Sequence, residues 1–270
     1  MIYNRLFFGT ILILMSLGIS GCSETSSTLG QFHQGRILIL NVFEMERSEE
    51  LRYSTIDTED VVRKWRIQPS DEGQELLLMR LRIENHVALN TVLVADQQAV
   101  VLEGFFQDEF RPIGVSETVF LDKRGQGNPK IDLYGGECTD HPRVIVNAGA
   151  TVQWANVGAT GSSIQFDSGV VTGLGKEVIE IIPGGTVSTK FEQPGTFRYL
   201  CGDGDELAQI LVEDSNSIRG QRENNILFLE GSFNLPKDTS LDGWMIFDIP
   251  KGTEIKSLRW RAGDSITIRF

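Results

Sequence analysis

Residues 195–212 read GTFRYLCGDGDELAQILV. Phe197, Tyr199 and Cys201 alternate with Thr196, Arg198 and Leu200, the period-two pattern of a strand that buries one face. The run stops at Gly202, passes through the acidic loop Asp203–Glu206, and resumes as a second strand ending at Val212. Two strands joined by a short Gly- and Asp-rich loop read as a hairpin, and the aromatic and β-branched content favours strand over helix.

Outward from this stretch the same grammar recurs. RILILNVFEM (36–45), ELLLMRLRIEN (75–85), AVVLEGFF (99–106), RVIVNAGATVQWAN (143–156), SSIQFD (162–167), NNILFLEG (224–231), GWMIFDIP (243–250) and SITIRF (265–270) are all apolar or alternating runs. Gly, Pro, Asn or Asp separates them. An all-β chain of sandwiches follows. In TIDTEDVVRKWRIQPS (55–70), the residues Asp57 to Asp60 supply a capping signal for a helical turn before Pro69 stops it. With 270 residues, 40% of them hydrophobic, the chain can bury one large core or two smaller ones.

The first 21 residues, MIYNRLFFGTILILMSLGISG, place Arg5 before an apolar run that ends in small residues, the layout of an export signal. Ile19-Ser20-Gly21-Cys22 resembles a bacterial lipobox, which implies cleavage before Cys22 and acylation of its thiol. Residues 1–21 are then a lipoprotein signal peptide and 22–34 a small, polar tether. Loss of Arg5 takes the formal charge from −12 to −13. So acidic a protein repels phosphate backbones, which excludes nucleic acid as a partner and leaves lipid as the means of membrane attachment. The expected location is the bacterial cell envelope, facing the periplasm or the exterior, with a protein partner that the sequence does not identify.

The middle of the chain is its most informative part. KIDLYGG (130–136), PRVIVNAGATVQWANVGATGSSIQFDSG (142–169) and IIPGGTVSTKFEQPGTFRYLC (181–201) resemble, in order, the strands and turns of plastocyanin- and azurin-type cupredoxins. The resemblance implies a Greek-key sandwich over 130–215 and, in its usual form, a copper ion. A blue-copper centre needs two imidazoles and a thiolate, commonly with a weak axial thioether. Only the thiolate survives: Ser162 stands where the family places its first histidine, and the loop after Cys201, CGDGDELAQILV (201–212), holds neither His nor Met.

Besides Cys22 the chain has Cys138 and Cys201, and its histidines are His33, His86 and His141. An even pair of cysteines in an oxidising compartment reads most simply as a disulfide. The alternative is an atypical site of Cys138, His141, Cys201 and Asp203 holding copper or zinc, which would make the protein an electron-transfer or copper-handling one. GDGDE (202–206) lacks the ligand pattern of a calcium loop. His86 on its strand and the four tryptophans read as surface and core residues respectively.

LLLMRLRIENH (76–86) and DGWMIFDIPKG (242–252) resemble two strands of telokin-like, immunoglobulin-like domains of bacterial surface lipoproteins. The chain between them is interrupted by the cupredoxin-like piece. The expected organisation is a discontinuous immunoglobulin-like sandwich, 35–129 and 216–270, carrying the sandwich 130–215 as an insertion. The polar stretches 121–130 and 213–224 serve as linkers in this reading. No nucleophile with a matching base, phosphate loop or zinc-protease motif is present, so no catalytic residue and no cofactor are expected. The function class that remains is a lipid-anchored, non-enzymatic binding or assembly module.

Replacing Cys22 by Ala should abolish incorporation of a labelled fatty acid in a bacterial host and release the protein from the membrane fraction.

Overall fold

The computed structural model describes residues 28–56, 61–167, 178–203, 206–214 and 226–270. The signal, Cys22, the capping signal at 57–60 and most of the stretch 213–224 lie outside them. Nearly every described element is a strand, and the one described helix is the single turn Val115–Thr118. All-β sandwiches are the architecture.

One sheet orders the strands Phe32–Gln34, Leu38–Ser48, Gln74–Asn85 and Thr239–Pro250. Its last pair runs antiparallel from Thr239 opposite Asn85 to Pro250 opposite Gln74, so the far end of the chain completes a sheet begun near its start. Alternate residues of this sheet, Leu38, Leu40, Leu77, Met79, Leu81 and Phe247 among them, point into a core. Val100, Leu102, Leu258, Trp260 and Ile268 close that core from the opposite strands. The run Leu76–Met79 is apolar without alternation because its second face is buried too: Leu76, Leu78 and Ile246 pack on Leu51, Tyr53 and Ile67.

A separate core fills the middle of the chain, from Ile131 to Val212. One wall is the sheet Lys130–Leu133, Thr151–Asn156 and Thr186–Lys190. Trp154 fills its centre at 0% exposure, edge-on to Phe166 and Tyr199 with ring centroids 5.7 Å away in each case. The opposite wall orders Ile179–Ile181, Ser162–Phe166, Gly195–Gly202, Glu206–Glu213 and Arg143–Asn147. That sheet does not stop at the edge of the middle core. Arg143–Asn147 pairs in parallel with Phe120–Asp122, Val144 opposite Leu121, and the sheet continues through Val62–Ile67 to Leu51–Ile56.

Two readings from composition change here. The stretch 62–67 is a strand, because Trp65 and Ile67 turn toward the core of Leu51 and Tyr53. The stretch 121–130 is no loose linker, because Asp122 and Arg124 are spent in a part-buried string of ion pairs. Arg124 pairs with Asp122 at 2.6 Å and with Glu213 at 3.0 Å. Glu213 reaches Arg66 at 2.5 Å, and Glu50 pairs with both Arg66 at 2.8 Å and Arg52 at 2.9 Å. Arg52 and Arg66 sit directly opposite each other on paired strands, an arrangement that repels unless an anion lies between them. Glu50 is that anion.

Burial disfavours the Asp122 carboxylate, but its hydrogen bonds to Arg124 outweigh that cost and hold its pKa below the usual value. The stabilisation it brings is present above the ordinary carboxyl range, about pH 4, and is lost as pH falls through its lowered pKa. Glu213→Gln leaves Arg66 and Arg124 without their shared anion, and should lower stability in urea by about 2 kcal/mol, discounted from a fully buried pair for its part exposure. Unfolding curves followed at neutral pH would measure this.

Candidate functional site

Cys201 ends an inward-facing series, Tyr199 and Cys201 both at 0% exposure. Cys138 comes from the loop after Lys130–Leu133, and the two cysteines are joined, with Cα atoms 5.0 Å apart across 63 residues of sequence. Gly202 makes this approach feasible. Its φ is +73°, and a Cβ there would stand 2.5 Å from the Gly136 carbonyl oxygen and 3.1 Å from the Cys138 nitrogen. The Asp203 N–H donates to that same carbonyl at 2.9 Å, and the Cys138 N–H donates to a Glu206 carboxylate oxygen at 3.3 Å. The acids after Cys201 thus fix a loop.

The rest of this end of the sandwich is similarly committed. Asn156 donates to the carbonyls of Thr160 and Ile181, 2.8 Å each, and accepts from Gly158 N–H at 3.0 Å, which ties down the loop 157–161. Ser162 is buried, with its Oγ unpartnered among the described residues.

His141 is engaged by Arg63 and Trp65. Its Nε2 lies 2.8 Å from Arg63 Nη1, and its ring meets Trp65 edge-on at 4.9 Å. Burial first, then the Arg63 charge, depresses its pKa, so the imidazole is neutral and its Nε2 accepts from the guanidinium. Among the described residues no three His, Cys, Asp or Glu side chains converge into a metal-holding group. Cys138, His141, Cys201 and Asp203 are therefore brought together only as far as the Cys138–Cys201 pair. A bridged thiol, a serine and an imidazole already engaged by Arg63 do not fit a copper ion.

Beside the bridge, between its loop and the strand Val62–Ile67, opens a cleft of about 550 Å³. Arg63, Lys64, Lys123, Lys130, Tyr134 and His141 line it with others. Lys123 Nζ donates to the Lys130 backbone carbonyl. Burial depresses the Lys123 pKa, and the Arg63 and Lys130 charges add to the effect against an opposing pull from Asp132. The Tyr134 hydroxyl is raised, chiefly by its hydrogen bond to Asp140. No single motif announces this cleft. The sequence holds its two basic clusters, VVRKW (61–65) and DKRGQGNPK (122–130), far apart, and their concentration in so acidic a chain is the only sign of it.

No family model and no curated protein matches the chain. Among solved structures it is similar to a copper(I) methionine-to-glutamine variant of amicyanin, at 23% identity, over 33% of this chain and 85% of that one, with a TM-score of 0.26. A purple cupredoxin from Nitrosopumilus maritimus is similar at 20% identity, over 31% and 98% of the two chains, TM-score 0.27. A reduced tryptophan-to-tyrosine variant of amicyanin is similar at 18% identity, over 47% and 100%, TM-score 0.27.

Reduction should lower the melting temperature of the wild type and leave a Cys138→Ser, Cys201→Ser double variant unaffected. The bridge spans 63 residues. Closing a loop of that size is worth about 4 kcal/mol in the chain-entropy account.

Proposed function

We propose that the protein is a lipid-anchored, non-enzymatic binding or assembly module of the bacterial cell envelope. In this reading a cupredoxin-like sandwich, 130–215, is inserted in an immunoglobulin-like one formed by 35–129 and 216–270. The observation that carries the proposal is the joined pair Cys138–Cys201. A blue-copper centre uses its cysteine as a thiolate, and here the equivalent sulfur is bonded elsewhere, with Ser162 and not an imidazole on the neighbouring strand. Redox transfer through copper loses its donor set, while the sandwich that would carry it keeps an intact core.

Three further points support the reading. The middle core and the flanking core draw on separate sets of residues, and the second uses both 38–102 and 229–268. In this reading Cys22, left at the N-terminus by cleavage of the leader 1–21, carries the lipid anchor, and among the described residues no helix is long and apolar enough to cross a membrane. The His141 imidazole is engaged by Arg63 and Trp65. In this reading the partner is a protein, with lipid at the N-terminus and no nucleic acid.

Copper titrated into the protein, oxidised and then reduced, is expected to give no thiolate-to-copper absorption band and no metal retained after dialysis. A coloured centre at one copper per chain would overturn the proposal and establish the atypical copper site in its place.

A further inference from the structure

The cleft beside the Cys138–Cys201 bridge runs against the charge of the molecule that contains it. The chain carries a formal −12, yet the cleft gathers Arg63, Lys64, Lys123, Arg124 and Lys130 against Asp122, Asp132 and Asp140. The acids are already engaged. Asp122 is held by Arg124, Asp132 by Lys130 at 2.6 Å, and Asp140 by the Tyr134 hydroxyl. Lys123 gives its ammonium to a backbone carbonyl, and Lys64 is exposed at the rim.

The donors are of the kind that read oxygen anions. Guanidinium groups present forked N–H pairs that match carboxylate and phosphate geometry, and ammonium groups act as point charges beside them. A cleft of about 550 Å³ falls in the range of small-ligand sites. A surface of low dielectric on two sides strengthens the field from these cations over that of scattered surface lysines.

We propose that this cleft binds a small multivalent oxyanion, a ligand carrying phosphate or carboxylate groups, at Arg63 and Lys123, which neighbouring strands bring side by side, with Lys64 at the rim. The crowding of like charge supports it independently of ligand identity: the Lys123 ammonium is desolvated, with Arg63 and Lys130 working against the pull of Asp132, and His141 is pressed by Arg63 and Lys123 against that of Asp140. An oxyanion seated there would relieve both. The proposal does not depend on the absence of copper or on the lipid anchor.

The test is calorimetric titration of the full chain in mild detergent with pyrophosphate and, separately, with citrate, at constant ionic strength. Saturable binding of one ligand per chain by either anion is the expected result. Lys64→Gln and Lys123→Gln should each weaken it about tenfold, the worth of one charged hydrogen bond, while Lys190→Gln, whose lysine pairs with Glu192 away from the cleft, leaves it unchanged. Lys64 is exposed, so its variant carries the test should Lys123→Gln unfold the protein. Absence of saturable binding to both anions at millimolar concentration overturns the proposal. So does equal weakening in Lys190→Gln, which would mark a diffuse ionic atmosphere, or no weakening in either cleft variant.

Discussion

A single string of alternating charge, Arg52, Glu50, Arg66, Glu213, Arg124 and Asp122, lies where the chain passes into the middle sandwich and where it leaves. Such a string contributes little net stability compared with an apolar seam, because each charge is partly stripped of water. What it supplies is register. The parallel contact that carries the sheet across the seam is short, Val144 opposite Leu121 and Ile145 opposite Asp122. A slip of one residue there would move Asp122 to the other face and leave Arg124 unmatched. The cleft depends on the same seam, since Arg63 and Lys64 approach Lys123 only while the strands Val62–Ile67 and Phe120–Asp122 are paired.

The bridge and the cleft divide the chemistry at this end of the middle sandwich. Joining Cys138 to Cys201 removes a soft ligand and a nucleophile at once. The loop following Cys201 is held to the Cys138 loop: the Glu206 carboxylate accepts from Cys138 N–H, and the Asp203 backbone N–H donates to the Gly136 carbonyl. Reactive potential is exchanged for rigidity at the bridge, and mobile charge is kept one loop away.

What the residues disclose in advance is whatever depends on local periodicity. Val144, Val146, Val152, Trp154 and Tyr199 point inward as their alternation requires, and the Cys138–Cys201 pairing follows from a count of thiols. Other features escaped because their causes are not local. Asp122, Arg124 and Glu213 look like solvated linker charges until Arg66, far away in sequence, is placed beside them. Val62–Ile67 carries too few apolar residues to declare a strand, and it becomes one through pairing on both edges. The cleft joins two basic clusters whose distance in sequence conceals their distance in space. The lipobox at Cys22 and the capping signal at 57–60 lie outside the described residues.

The pairing of Thr239–Pro250 with Gln74–Asn85 also sets an order of events during folding. As the chain emerges from its N-terminus, the middle core has every residue it needs once Val212 is free. The flanking core waits for Phe247, Leu258 and Ile268. Until they arrive, the long strand 74–85 has an open edge with apolar residues on both faces, the kind of surface that recruits other chains. Burial of that edge against the last segment of the molecule makes the C-terminus the latch on the whole assembly, and a chain cut short before residue 239 is left with the edge of that apolar strand exposed.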